Sequence, residues 1–157
     1  MILLSIRSRS LAQSGLIASY SFNEGSGTTV ADSSGNNLSG TIVGATWTTG
    51  GRYGGALSFN GTSSYVDLGN PAAFQLSGSM TVEAWVKATA NPADDGQIVA
   101  KSNGSGWALK TSPDTCPHTF GVELSSATGT VQRYSTTVRA LNPGITLRAF
   151  TTQSARH

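Results

Sequence analysis

This chain has few of the residues that usually do chemistry. Only 11% of its 157 residues are charged, and it holds two histidines and one cysteine. The single Cys116 excludes an intrachain disulfide and a thiolate metal cluster. His118 sits in a Pro-flanked loop and His157 ends the chain, so no Ser/His/Asp order is suggested. No segment reaches the roughly 18 apolar residues that a membrane helix needs, so membrane insertion is not expected. A basic stripe is missing as well. The formal charge is +2, but four of the ten basic residues, Arg7, Arg9, Arg148 and Arg156, lie in the end segments. Between residues 16 and 142 six basic groups face all eight acidic ones, a net of −2. This leaves no electrostatic footprint for nucleic acid or anionic lipid. The opening MILLSIRSRSLAQSG places its apolar run before its arginines. A secretory signal has basic residues first and about 7–15 apolar residues after them, so no signal peptide is read and residues 1–15 are expected to be a linker or upstream segment.

What is present is turn chemistry and alternation. There are 19 glycines, and hydrophobic residues make up 38%; that is too apolar for a solvated disordered chain. The length fits one domain. From Leu16 onward the pattern has period two: Ala18, Tyr20 and Phe22 alternate with Ile17, Ser19 and Ser21. Between Met80 and Lys87, the residues Met80, Val82, Ala84 and Val86 form one face and Thr81, Glu83, Trp85 and Lys87 the other. Similar short runs occur at 38–43, 56–59, 65–68, 97–101, 107–111, 119–125 and 131–138. Between them stand Gly50-Gly51, Gly54-Gly55, Asn60-Gly61, Asn70-Pro71, Asn103-Gly104 and Ser112-Pro113, all turn-forming pairs. No stretch keeps helical periodicity for long. The expected fold class is all-β, with two antiparallel sheets packed face to face as a sandwich or jelly roll.

The motifs SFNEGSG, DSSGN, GGALSFNG, YVDLG and VEAWVK follow one another between Gly15 and about Leu141. In this order they resemble the LamG-like jelly-roll family of the concanavalin A-like lectin/glucanase superfamily. The resemblance implies a domain over residues 16–142 and a carbohydrate- or protein-binding module of a larger secreted or surface protein. Glycans or cell-surface proteins would be the partners. After Leu141 the resemblance is expected to stop, where the family has a strand like Trp-Tyr-His-Val-Ala-Gly-Val-Tyr-Asp. Read from the third base of the Pro143 codon, the codons permitted by PGITLRAFTT allow every residue of that strand. Residues 143–157 are therefore expected to be an out-of-frame tail and the sandwich to be incomplete at its C-terminus, with an unpaired edge and poor solubility.

The residues offer three kinds of candidate site. Glucanases of this fold pair carboxylates at alternate positions of one strand. Glu83 instead has Thr81 and Trp85 as its alternate neighbours, while Asp94 and Asp95 are adjacent in a loop and Asp67 lies on another strand. No catalytic residue is assigned. In DSSGNN, Asp32, Ser34 and Asn36 fall at positions 1, 3 and 5 of a possible cation loop, but Asn37 and Val43 occupy positions where an EF-hand needs Gly and Glu. Resemblance adds a structural calcium (Ca2+) with Asp32, Asn36 and possible Asn23 as ligands; the alternative is an Asx-type turn. Sugar binding needs an exposed aromatic ring flanked by polar groups, for which Trp85, Glu83 and Tyr53 are the candidates. Against this, a Trp in a sandwich often packs, and Trp47 and Trp107, beside turns, are expected to do so. The sequons at Asn37, Asn60 and Asn103 carry little weight. The expectation is a non-catalytic carbohydrate-binding or adhesion module. A structural protein-interaction module without sugar binding is the alternative, followed by a glycoside hydrolase fragment.

Overall fold

In a computed structural model the described residues are 4–10, 13–76, 79–90, 96–102, 106–111, 119–136 and 145–152. Asp94, Asp95, Asn103, Cys116, His118, Asn142 and His157 lie outside them, as do Gly104, Ser112, Pro113 and Pro143. Among the described residues the regular elements are strands, joined by turns and loops, with a single 3-10 turn, Ala72–Phe74, that follows Pro71. The strands are β1 (Leu4–Ser10), β2 (Gln13–Tyr20), β3 (Thr29–Val30), β4 (Gly40–Val43), β5 (Thr46–Thr48), β6 (Ala56–Ser58), β7 (Tyr65–Asp67), β8 (Ser79–Val86), β9 (Gln97–Ser102), β10 (Gly106–Thr111), β11 (Phe120–Ser126), β12 (Gly129–Tyr134) and β13 (Ile145–Thr152). The chain divides into two compact units: Met1–Lys87 with Thr146–His157, and Ala88–Ile145.

The first unit is built on a four-stranded sheet ordered β13-β8-β1-β2. β1 runs antiparallel to both β2 and β8, so Leu4 stands opposite Tyr20 and Ala84, and Ile6 opposite Ala18 and Val82. The segment read as a linker thus supplies a central strand. Its own LSIRSRS alternates in the strand period, with apolar or small residues at every second position. The segment read as an out-of-frame tail likewise contributes β13, beside β8. The alternation read in β8 is realised: Met80, Val82 and Ala84 are buried, whereas Glu83 and Lys87 are exposed. Ala18, Tyr20, Phe22, Val30, Ala56, Leu57 and Phe74 complete this unit's core. Two smaller antiparallel sheets, β3-β4-β7 and β5-β6, accompany it. Their strands have two to four residues because Gly- and Asn-rich turns interrupt the chain so often.

The second unit is an antiparallel sheet ordered β12-β11-β10-β9. Register places Leu109 opposite Val122 and Trp107 opposite Leu124, which gives one face its apolar character. On the opposite face Ala108 pairs with Glu123, Lys110 with Gly121, and Glu123 with Gln132. Trp107, Leu109, Phe120 and Val122 are buried.

Candidate functional site

The DSSGNN loop lies along the outer edge of β2, a strand that ends its sheet. Both oxygens of Asp32 are in use. Its Oδ1 accepts from the backbone N–H of Ser19 at 3.0 Å and of Ser34 at 2.9 Å. Its Oδ2 accepts from the Ser34 hydroxyl at 2.7 Å and the Leu38 N–H at 3.0 Å. Partial burial pushes this carboxyl upward, but the donors of Ser19, Ser34 and Leu38 outweigh it and hold the group below the usual aspartate range. Asn36 turns its amide nitrogen inward, donating to the Leu16 and Ile17 carbonyls at 3.0 and 2.8 Å. The Ser34 hydroxyl, whose one proton is directed at Asp32, also lies 3.0 Å from the Ile17 carbonyl oxygen, and the Ser33 N–H donates to the Ser19 carbonyl. The loop therefore satisfies the backbone groups that an edge strand would otherwise leave open. The Tyr20 hydroxyl donates to the Leu38 carbonyl; burial first, and the nearby Asp32 charge second, raise its pKa.

As a calcium set these residues do not fit. The Asp32 carboxylate has its four lone-pair positions filled by protein donors, and Asn36 presents a nitrogen rather than an oxygen. Asn23 serves elsewhere, its Oδ1 accepting the Gly55 N–H at 2.7 Å. Among the described residues no group of three or more His, Cys, Asp or Glu side chains is placed to hold a metal.

That Asn23 bond builds a second feature. Phe22 has φ 56°, a left-handed conformation that costs a bulky residue about 1–2 kcal/mol. Burial of its ring, 6.3 Å from the Tyr20 ring, holds it there. The bend brings the 22–23 backbone against Gly54 and Gly55. A Cβ on Gly54 would lie 2.6 Å from Asn23 Oδ1, and one on Gly55 would lie 2.4 Å from the Phe22 carbonyl oxygen. Only glycine permits this approach. The turn closes with the Gly51 N–H donating to the Gly54 carbonyl at 3.0 Å, which leaves Arg52 and Tyr53 at its tip.

At that tip Tyr53 meets Trp85 edge to face, with ring centroids 5.2 Å apart and planes at 90°. The Arg52 guanidinium carbon lies 5.8 Å from the Tyr53 centroid and 5.6 Å from that of Trp85. Tyr53 is 62% exposed and Trp85 half-buried. Glu83 stands exposed two residues before Trp85 on the same outward side of β8. Of the three ligand candidates read from sequence, Tyr53 and Trp85 touch, and Glu83 shares their strand face. Sequence reasoning missed Arg52, although it lies inside the same GRYGG turn.

The second unit holds a different kind of polar cluster. Lys110 is 3% exposed and donates to Glu123 Oε2 at 2.8 Å. Gln132 Nε2 donates to the same oxygen at 2.7 Å, and the Ser125 hydroxyl donates to Oε1 at 3.2 Å. These hydrogen bonds, with the lysine first, keep Glu123 below the usual glutamate range. Tyr134 lies on Gly121, where a Cβ would meet its ring at 2.5 Å, and its hydroxyl donates to Gln132 Oε1. A groove of about 240 Å³ runs beside the cluster over Ala100, Gly106 and Ala108.

A laminin G-type family model, described as the concanavalin A-like lectin/glucanases superfamily, matches residues 59–151. The chain belongs to this superfamily. No curated protein and no solved structure matches the chain. For a concanavalin A-like chain the all-β, antiparallel fold is the sandwich class. The match begins after the aromatic turn, includes Trp85 and Glu83, and continues nine residues beyond Asn142. The match thus starts and ends later than the resemblance expected from Gly15 to about Leu141. Concanavalin A-like domains of the laminin G type are commonly binding or adhesion modules, usually extracellular and typically non-catalytic. Among the described residues no helix is long and apolar enough to cross a membrane.

Proposed function

We propose that the chain is a non-catalytic carbohydrate-binding module of a larger secreted or surface protein, and that a sugar stacks at the corner formed by Tyr53 and Trp85. One observation carries this reading. Among the described residues, the Tyr53 hydroxyl, the Trp85 indole N–H and the Glu83 carboxylate have no protein hydrogen-bond partner. Trp47 differs: its indole N–H donates to the Gly27 carbonyl at 2.8 Å, as expected of a structural tryptophan. A sugar needs an apolar ring surface and nearby unspent polar groups, and this corner offers both. The non-catalytic part rests on Glu83, whose alternate neighbours are Thr81 and Trp85, so its strand supplies no second carboxylate. A glycan array with and without chelator tests the reading. Binding that survives chelation and is lost in Trp85→Ala is expected; silence across the array would remove it.

The protein-interaction alternative has its own support. Val43 and Tyr65 stand opposite each other in register on β4 and β7, 36% and 53% exposed. If this pair is the contact surface, Tyr65→Ser abolishes cell-surface adhesion, while Trp85→Ala leaves it intact.

A further inference from the structure

We infer that Asn60 is a self-modifying residue: it converts to aspartate through a cyclic imide closed on Gly61, and the turn between β6 and β7 steers the product to aspartate rather than isoaspartate. The Asn60 side chain folds forward over Gly61, its Oδ1 lying 3.0, 2.9 and 3.1 Å from the backbone nitrogens of Thr62, Ser63 and Ser64. The Thr62 and Ser64 hydroxyls donate to the same oxygen at 3.2 and 3.0 Å. By contrast, the Gly61 N–H and the Asn60 main-chain carbonyl have no hydrogen-bond partner among the described residues. Gly61 is exposed, has φ 77° and has open space where a Cβ would stand, so its nitrogen is unshielded.

A solvent base removes the Gly61 amide proton, and the nitrogen attacks Asn60 Cγ. The N–Cγ bond forms as negative charge gathers on Oδ1, where the five donors already converge. Asn60 Nδ2 donates to the Ser63 hydroxyl at 3.0 Å; as Nδ2 becomes an amine, that hydroxyl hands it a proton, the Cγ–Nδ2 bond breaks and ammonia leaves. Water then opens the imide. Attack at Cγ breaks the N–Cγ bond, returns a proton to the Gly61 nitrogen and leaves an aspartate carboxylate. Attack at the Asn60 main-chain carbonyl would leave isoaspartate instead. Overall, amide and water become carboxylate and ammonium. The first opening builds its oxyanion among five donors and the second among none, so aspartate is favoured. That product keeps the main-chain path, and its carboxylate suits the same donors.

The test ages the full chain at mildly alkaline pH, folded in buffer and unfolded in concentrated urea, and follows Asn60 by peptide mapping that separates aspartyl from isoaspartyl products. In the folded chain Asn60 is expected to convert with aspartate exceeding isoaspartate by about fivefold, a modest factor because these donors are exposed to water. In urea that excess should disappear. Thr62→Val with Ser64→Ala, which together remove both hydroxyl donors, should lower the folded-chain ratio about two- to threefold. Ser63→Ala should slow conversion about threefold without moving the ratio. A product ratio equal in folded and unfolded chains would overturn the inference, as would a folded chain that keeps Asn60 intact while the unfolded chain converts. A ratio unmoved by loss of both hydroxyls would overturn the steering by the donors, and an unchanged rate in Ser63→Ala the role given to Ser63.

Discussion

The two units use their basic side chains in opposite ways. Lys110 of the second unit is buried, and its charge is spent on Glu123, which also holds Gln132 and Ser125. Arg52 of the first unit is exposed on two rings, with no carboxylate spent on it among the described residues. A cation that has lost its water must find fixed partners, and those partners then hold the sheet together. A cation that keeps its water can exchange it for a ligand. The second unit's polar face is therefore read as structure, and the corner of the first as a place for recognition.

Frame restoration would alter this comparison most. We propose that the DNA encoding residues after Asn142 reads, in the shifted frame, Trp-Tyr-His-Val-Ala-Gly-Val-Tyr followed by Asn or Asp. Sequencing decides this at once, and any other reading ends the proposal. The present β13 borders β8 in the first unit, so replacing it should change the first unit's sheet and spare β9 to β12. Hydrogen exchange on the restored chain is expected to show greater protection in β8, together with improved solubility. Equal gains across both units would break the division drawn here.

Next in size is the buried ion pair. Lys110→Ala leaves Glu123 beside the vacated site and should cost about 2–4 kcal/mol in denaturant unfolding. The double change Lys110→Met with Glu123→Gln should recover most of that loss, since it removes both charges together. A double variant as unstable as the single one would mean that the pair matters for packing rather than charge.

Much of this was legible in the chain, for reasons that can be named. The β8 alternation is strict, so Met80, Val82 and Ala84 could be assigned to the core and Trp85 and Glu83 to the outside. Tyr53 could be chosen as an aromatic ring standing between the turn-forming pairs Gly50-Gly51 and Gly54-Gly55, where a ring is left exposed for stacking. The alternation of β1 is visible too, but its arginines invite a reading by signal-peptide order, which says nothing of strand period. The role of DSSGNN was illegible for a deeper reason. Its oxygens sit at a cation-loop spacing, and whether they hold a metal or a strand edge depends on β2 being last in its sheet, a fact of topology that local spacing does not contain. Pairing of Lys110 with Glu123 likewise depends on register across thirteen residues.

Asp32 comes next. Asp32→Ala removes four hydrogen bonds at the β2 edge and should cost about 2–3 kcal/mol. Its folded carboxyl, like that of Glu123, lies below the unfolded value. The unfolded chain therefore binds more protons near pH 4, so the stabilisation is full above about pH 4–5 and falls away as pH drops through the folded values. Asp32→Asn should flatten the acid limb of a pH titration of stability for the first unit, and Glu123→Gln that of the second. If either change flattened both limbs together, the units would not be separable electrostatically.

The smallest effect is expected at Asn60. Its Oδ1 accepts from the backbone N–H groups of Thr62, Ser63 and Ser64 and from the hydroxyls of Thr62 and Ser64. A carboxylate suits five converging donors better than an amide oxygen, but Asn60→Asp loses the amide N–H that donates to the Ser63 hydroxyl at 3.0 Å. The net change should be a gain below about 1 kcal/mol at pH 7, whereas Asn60→Ala should lose about 1–2 kcal/mol. Reversal of the aspartate gain below pH 4 would show that charge produced it, because the protonated acid keeps the shape and loses the charge. A gain that persisted at pH 3 would assign it to geometry. The turn would then rank with the Asn23 contact as a shape-dependent device rather than with Asp32.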